Sequence, residues 1–271
     1  MTTKIEGVIF DWAGTTVDFG CFAPVNVFLE IFKNADVEVT LEEAREPMGM
    51  LKIDHIRAML QMPRINAKWQ DVYGNPFNEE DVNRLYAQFE EQLMISLAEY
   101  TTPIQGVLET VEWLRANNIK IGSTTGYTKE MMMVVVPEAK KKGYSPDYLV
   151  TPTDLDNIGR PYPYMIFENM RQLQLSHVKH IVKVGDTASD MKEALHAGVW
   201  AVGVLVGSSE MGVSEEEYQQ LTIEQKQQLI EKTRLKFESY GAHYTIETMQ
   251  QLPQIIGEIE ASLEQTISYS K

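Results

Sequence analysis

The sequence predicts an α/β fold, with a doubly wound, Rossmann-like parallel-sheet core and an inserted all-helical cap domain. Three observations lead to this prediction. Short apolar runs rich in β-branched residues recur along the chain, as is typical of strands buried on both faces of a parallel sheet. Helical stretches alternate with these runs, which favours a doubly wound sheet. Between the first and second runs, however, only helical patterns occur.

The predicted core elements follow one another in βα order. We expect strands at residues 8–10, 119–122, 148–150, 181–184, 201–206 and 243–246. We expect helices at residues 128–142, 162–173 and 187–197. In such a sheet the functional site lies beyond the carboxyl ends of the strands, so residues that follow strands are the first candidates for chemistry.

The cap is predicted from the segment that interrupts this order. Residues 22–100 contain only helical patterns, and Thr40 with Glu43 has the spacing of a capping box. Asn78 with Asp81 is a weaker, acidic version. A helical insertion of this kind usually closes over a site as a lid. The predicted division is a cap domain at 21–100 and a core domain at 1–20 and 101–271.

Beyond the core helices, a capping box at Ser214 and Glu217 opens a segment rich in glutamate and glutamine that extends to residue 240. A helix that ends near Gln265 is expected to close the chain.

Composition limits the partners. Among 271 residues 24 are basic and 39 acidic, so the formal net charge is −15. This charge disfavours nucleic acid and anionic membranes as partners, and an anionic substrate would need a locally positive pocket. No apolar run approaches the ~18 residues of a membrane helix, and the N-terminus is expected to be a strand start without a signal-peptide core. The single cysteine, Cys21, excludes an intrachain disulfide framework, so we expect a cytoplasmic protein.

Aspartates follow two of the predicted strands. Asp11 closes the first strand ahead of a Gly-Thr-Thr turn, where it could be a nucleophile, a metal ligand or only a structural turn residue. Asp186 and Asp190 follow the fourth strand and share one face of the next helix. Asp186 could be an oxygen ligand for Mg²⁺, and the alternative is that Asp186 or Thr187 is only a helix cap. Because two aspartates end two separate parallel strands, we favour a Mg²⁺ site.

Two further segments could bind an anion. Thr125 and Gly126 follow the second strand, where a hydroxyl and backbone amides can hold a phosphoryl oxygen, although an ordinary turn is the simpler reading. Arg160 lies in a proline-fixed loop before a helix. An arginine there could clamp a phosphoryl group, and the alternative is a surface arginine.

The ordered set Asp11, Thr125, Arg160 and Asp186 with Asp190 resembles the haloacid dehalogenase superfamily of aspartate-nucleophile phosphotransferases. Segments 11–16, 47–55 and 159–163 are similar to its phosphonatase branch. Most members carry Lys at the position of Arg160, and the arginine is itself similar to that branch. The resemblance implies hydrolysis of the carbon–phosphorus bond of phosphonoacetaldehyde, a small phosphonate substrate, in 2-aminoethylphosphonate degradation. It also implies Mg²⁺ as cofactor and a homodimer formed through the cap.

Two residues set this chain apart from the phosphatases of the superfamily. Those enzymes carry a second carboxylate two positions after the first, as a general acid, and here that position is Ala13. Lys52 lies among apolar residues and could condense with an aldehyde if burial lowers its pKa from ~10.4. The protonated imine would accept the electrons of the breaking bond, so no acid is needed at position 13. His55, on the same helical face, could shuttle the proton. A solvated lysine is the alternative.

The remaining site residues rest on this resemblance. Mg²⁺ would be held by Asp11, the Ala13 carbonyl and Asp186, with Thr15 and Asp190 in support. The phosphonate would be held by Thr125, Gly126 and Arg160. The pocket would be lined by Cys21, Met48, Gly49 and Tyr127, although core packing is the simpler explanation for each of these four taken singly. Two other functions stay open: a phosphatase that acts on a small phosphate ester, and a phosphometabolite-binding protein without turnover.

Overall fold

The computed structural model describes residues 4–269, and its core is a six-stranded, all-parallel sheet in the order β3-β2-β1-β4-β5-β6. The strands are β1 (Gly7–Phe10), β2 (Lys120–Thr124), β3 (Tyr148–Val150), β4 (Ile181–Gly185), β5 (Trp200–Val204) and β6 (Tyr244–Ile246). The predicted fold class is confirmed. The chain leaves β1 toward β2 and β3 and later returns to β4, so the order reverses between β1 and β4, where open α/β sheets bind ligands.

Helices flank the sheet and fill the insertion between β1 and β2. The insertion contains α1 (Phe22–Asn34), α2 (Leu41–Arg45), α3 (Lys52–Gln61), α4 (Pro63–Tyr73) and α5 (Glu79–Ser96). The rest of the described chain contains α6 (Val107–Ala116), α7 (Lys129–Lys141), α8 (Tyr164–Leu173), α9 (Ala188–Ala197), α10 (Glu215–Gln220), α11 (Ile223–Ser239) and α12 (Leu252–Tyr269). Short 3₁₀ turns, such as Leu97–Tyr100 after α5, complete the connections.

The sheet forms where the sequence supplies continuous apolar runs. All residues of β1 and β4 are buried, as expected for central strands with helices on both faces. Phe10 is in register with Ser123 of β2 and with Val184 of β4. Because the strands are parallel and aligned in this way, the residues that follow β1, β2 and β4 emerge together at one edge of the sheet.

The cap is a bundle of amphipathic helices with its own apolar contacts. The rings of Phe28 on α1 and Phe89 on α5 stack with centroids 4.4 Å apart, and both are fully buried. The predicted capping boxes at Thr40 and Asn78 are both formed, so α2 and α5 begin where the pattern indicated. Phe28 and Phe89 belong to the same buried apolar cluster as Val8 and Phe10 of β1, so the insertion packs continuously with one face of the sheet.

Three details differ from the sequence prediction. The segment 214–240, for which the sequence predicted only a capping-box start, is two helices, because Leu221 is extended and Thr222 with Gln225 forms a second capping box that was not predicted. The last helix runs to Tyr269 instead of ending near Gln265. At the N-terminus β1 begins at Gly7, and residues 1–3 of the expected strand start lie outside the described residues. Within residues 4–269, no helix has the length and apolar character to cross a membrane.

Candidate active site

Three carboxylates meet at the edge of the sheet where β1 and β4 end. Asp11, Asp186 and Asp190 are buried, and each offers an oxygen within 4.8 Å of the others. The hydroxyl of Thr15 donates to Asp186 Oδ1 at 3.2 Å, and the backbone amide of Ser209 donates to Oδ2 at 2.7 Å. The structure therefore brings together the acidic residues that the sequence predicted, with Thr15 beside Asp186.

The three aspartates differ in how far neighbouring cations balance their negative charge. Burial raises the pKa of Asp186, and the charges of Asp11 and Asp190 raise it further. Burial also disfavours the charged form of Asp190, but Arg160 and Lys183 more than offset it, so its pKa is lowered. Asp190 therefore has two cationic partners, whereas Asp11 has Arg160 alone and repels the neighbouring Asp186 unless a proton or cation lies between them.

The donor set fits a hard divalent cation. Asp11 and Asp186 offer carboxylate oxygens, the ligand type that such ions prefer, and Ala13 lies in the same turn with a backbone carbonyl. A Cβ built on Gly14, which has φ +84°, would lie 2.1 Å from Asp186 Oδ2. The turn after β1 thus approaches the carboxylate as closely as only glycine permits.

Arg160 is the cation closest to Asp11, and it is not a surface arginine, because its side chain is fully buried. Nη2 donates to Asp11 Oδ1 at 2.7 Å and to Thr124 Oγ1 at 2.7 Å. Nε donates to Glu193 Oε2 at 3.0 Å, and Nη1 lies 3.1 Å from Asp190 Oδ1 without a hydrogen bond. Burial opposes the charged guanidinium, but the surrounding carboxylates outweigh it and raise the pKa of Arg160.

A small cavity lies between the cap and the core directly above Asp11. Its volume is about 20 Å³, which is room for about one water molecule, so the cap is closed over the site in this structure. Most of the predicted site residues line it. They are Asp11, Ala13, Cys21, Met48, Gly49, Lys52, Thr125, Gly126, Tyr127 and Arg160, together with Thr187, which the sequence predicted only as a helix cap and which caps α9 here.

Lys52 is the first residue of α3, and its amine points into this cavity instead of into solvent. The residue is 3% exposed, and Nζ lies 5.2 Å from the centre of the Tyr127 ring and 3.9 Å from Met48 Sδ. Burial lowers the pKa of Lys52, and the neighbouring Cys21 and Asp11 only partly oppose this. The uncharged, nucleophilic form of the amine is therefore more accessible here than in a solvated lysine.

His55 lies behind Lys52, and it does not line the cavity. Its ring stacks on Phe28 with centroids 3.9 Å apart, and Nε2 lies 3.0 Å from the Ala44 carbonyl oxygen. Nδ1 is buried and has no hydrogen-bond partner among the described residues. Burial and then the charge of Lys52 lower the pKa of His55, so its imidazole is neutral.

The sequence analysis missed the layer of residues beneath Arg160. Lys183, Glu193 and Thr124 are all completely buried, and each contacts Arg160 or its partners. A signal for Lys183 was present, since it is a charged residue in the otherwise apolar strand β4. Glu193 follows Asp190 by three positions and so shares its helical face, which was a second, weaker signal.

Comparison with known proteins agrees with this geometry. The model of the haloacid dehalogenase-like hydrolase family matches residues 8–204, and the chain belongs to this family. The predicted superfamily is thus confirmed, and the protein is an enzyme of the hydrolase class.

Within the family, several similar relatives have phosphonoacetaldehyde hydrolase in their names. A phosphonoacetaldehyde hydrolase of Lysinibacillus sphaericus is 65% identical over 96% of this chain and 97% of its own length. A bifunctional phosphonoacetaldehyde hydrolase/aminoethylphosphonate transaminase of Clostridioides difficile is 55% identical over 95% of this chain and 40% of its own length. The crystal structure of a phosphonoacetaldehyde hydrolase-like protein from Oleispira antarctica has a TM-score of 0.93 and 39% identity, with 96% of this chain and 94% of that one covered. The resemblance to the phosphonatase branch is confirmed.

The closed cap depends on a close backbone approach, which gives a first prediction. A Cβ on Gly126 would lie 2.6 Å from the Met50 carbonyl oxygen and 3.0 Å from that of Gly49, and backbone atoms cannot move aside cheaply. We expect Gly126→Ala to hold the cap ajar and to lower the kcat/KM for hydrolysis about 10- to 100-fold, with little change in thermal unfolding. Steady-state kinetics and calorimetry would measure both.

Gly257→Ala is the matched control for this substitution. Gly257 lies in α12, and a Cβ added there would have nothing within 4 Å. We expect full activity and slightly higher stability, because alanine favours a helix more than glycine by about 1 kcal/mol. Wild-type kcat/KM in Gly126→Ala would contradict the role given to this contact.

Proposed function

We propose that this enzyme hydrolyses the carbon–phosphorus bond of phosphonoacetaldehyde to acetaldehyde and phosphate. One observation carries the proposal: the amine of a buried lysine and the carboxylate of Asp11 line the same small cavity. An aldehyde that bears a phosphonate can engage both groups at once, through its carbonyl and its phosphorus. The names of the similar relatives support the same substrate.

The first step is proposed to occur at Lys52. Its neutral amine attacks the aldehyde carbon, water leaves, and a protonated imine joins substrate and enzyme. The apolar surroundings that disfavour the ammonium form serve this step. His55 is the proposed proton shuttle, because its neutral imidazole carries an unpaired Nδ1 behind Lys52.

The second step breaks the carbon–phosphorus bond. Asp11 attacks phosphorus in line, a phosphorus–oxygen bond forms, and the electron pair of the breaking bond moves into the imine to give an enamine. Arg160, Thr125 and Gly126 hold the phosphonate oxygens. The enamine is protonated on carbon, and hydrolysis of the resulting imine releases acetaldehyde and frees Lys52. Water then cleaves the aspartyl phosphate.

The proposed metal is Mg²⁺, held by Asp11, the Ala13 carbonyl and Asp186, with Thr15 and Asp190 in support. When bound, it neutralises phosphonate charge during the attack. An alanine at position 13 also fits cleavage of a carbon–phosphorus bond instead of a phosphate ester. An enamine leaving group needs no general acid of the kind that an alkoxide requires.

The remaining assignments are also proposals. Residues 21–100 form the cap domain and residues 1–20 and 101–271 the core domain, and Cys21, Met48, Gly49 and Tyr127 line the substrate pocket. The enzyme acts in the cytoplasm, a location that its single buried thiol favours. The bifunctional relative supports an aminoethylphosphonate transaminase as the source of the aldehyde.

We propose a homodimer formed through the cap. Ile95 of α5 is 79% exposed, and Val72 of α4 is 43% exposed, so the cap carries apolar side chains that a second copy could cover. Analytical ultracentrifugation should give the mass of two chains. A mass of one chain at micromolar concentration would contradict the proposal.

The imine step gives a direct test. With phosphonoacetaldehyde and borohydride, we expect a reduced adduct on Lys52, found by peptide mass spectrometry. Lys52→Arg should give no adduct and no phosphate release, because guanidinium is not a nucleophile at neutral pH. Chelation with EDTA should stop phosphate release from the wild type and leave the adduct.

Lys68→Arg is the control, since Lys68 lies on the cap surface with its side chain 39% exposed. It should keep both the adduct and the activity. Phosphate release from phosphonoacetaldehyde without any adduct on Lys52 would rule out the imine mechanism, and a phosphatase mechanism would then have to be considered.

The pH dependence of reductive labelling by phosphonoacetaldehyde and borohydride should differ between a buried and an exposed lysine. Burial lowers the pKa of Lys52, whereas a hydrogen bond to Asp154 raises the pKa of the exposed Lys129. Only the neutral amine reacts, so as pH falls, labelling of Lys52 should persist to lower pH than labelling of Lys129. Peptide mass spectrometry between about pH 6 and 10 would measure both. Coincident pH curves would contradict the lowered pKa.

A further inference from the structure

We infer that Thr124, Lys183 and Glu193 are positioning residues for Arg160, and that the Thr124 hydroxyl is the centre of this support. The inference rests on the proposed function, in which Arg160 holds the phosphonate beside Asp11. None of the three residues lines the cavity, so each acts through Arg160 and not by contact with substrate.

The hydroxyl of Thr124 uses its full hydrogen-bonding capacity. It accepts from Arg160 Nη2 at 2.7 Å and from Lys183 Nζ at 2.9 Å, and it donates to Glu193 Oε2 at 3.0 Å. A hydroxyl has one donor and two acceptor sites, so no other arrangement would satisfy all three partners. The position of the guanidinium is thereby tied to a side chain at the end of β2.

Lys183 and Glu193 complete the support with opposite charges. Lys183 Nζ lies 2.8 Å from Asp190 Oδ1 and 3.4 Å from Glu193 Oε2, and all three side chains are fully buried. Buried ion pairs contribute little to stability, because desolvation offsets most of their attraction. Such a cluster directly beneath a substrate-binding arginine is better explained by the need to fix its orientation.

The hydrogen bonds to Thr124 and Glu193 determine how the guanidinium of Arg160 approaches the carboxylate of Asp11. A free guanidinium tends to bind a carboxylate through two parallel hydrogen bonds, which would occupy both oxygens of Asp11. Here Nε is held by Glu193, and only Nη2 donates to Asp11, at Oδ1. The second oxygen of Asp11 receives no hydrogen bond from Arg160, so it stays available for attack on phosphorus.

The test compares two substitutions at one position. Thr124→Val keeps the side-chain shape and removes the hydroxyl, whereas Thr124→Ser keeps the hydroxyl. We expect Thr124→Val to lower kcat for phosphate release about 100-fold, as a misplacement near 1 Å can do. Borohydride trapping on Lys52 at saturating phosphonoacetaldehyde should be unchanged, because imine formation does not use Arg160. Thr124→Ser should largely restore kcat.

The outcomes separate this inference from the proposed function. No adduct in the wild type would overturn the proposed function itself. With a wild-type adduct, the inference is overturned if Thr124→Val keeps its kcat, if it loses adduct and phosphate release together, or if Thr124→Ser is equally impaired. Should Thr124→Val not fold, Glu193→Gln replaces it. That variant should lose phosphate release and keep the adduct, and normal phosphate release would overturn the inference.

Discussion

The concentration of buried charge where β1 and β4 end is the constraint on which the site depends. Four carboxylates, those of Asp11, Asp186, Asp190 and Glu193, lie around two basic side chains, Arg160 and Lys183. Lys183 contacts Asp190 and Glu193, and Arg160 reaches Asp11 with one nitrogen, whereas Asp186 has no basic partner among the ion pairs of the described residues. The charge of an ionised Asp186 therefore lies uncompensated beside Asp11, where a divalent cation could bind both carboxylates.

The cap covers the site and also contributes a side chain, Lys52, to it. Lys52 belongs to the inserted helices, and its amine is buried where the cap lies against the core at Gly126 and Thr187. This burial lowers the pKa of Lys52, which favours the neutral amine that the proposed imine step needs. The packing that completes the site therefore also lowers the pKa of the lysine.

Much of this could be predicted from the sequence, because the ends of parallel strands must meet at one edge. That rule placed Asp11, Thr125 and Asp186 together, and the helical pattern placed Lys52 and His55 on α3. The support under Arg160 could not be predicted in the same way, since Thr124, Lys183 and Glu193 find their partners only through tertiary packing. Likewise, helical spacing gave the face of His55 but not its stacking on Phe28.

The residues at positions 13 and 52 depend on each other electrostatically. Ala13 and Lys52 line the same small cavity, so a carboxylate at position 13 would lie near the amine in a poorly solvated space. It would stabilise the ammonium form and raise the pKa of Lys52, which opposes attack on an aldehyde. In the proposed mechanism, the missing acid is therefore a condition for the imine as well as a consequence of it. A general acid for alkoxide departure and a neutral lysine for imine formation exclude each other in a cavity of this size.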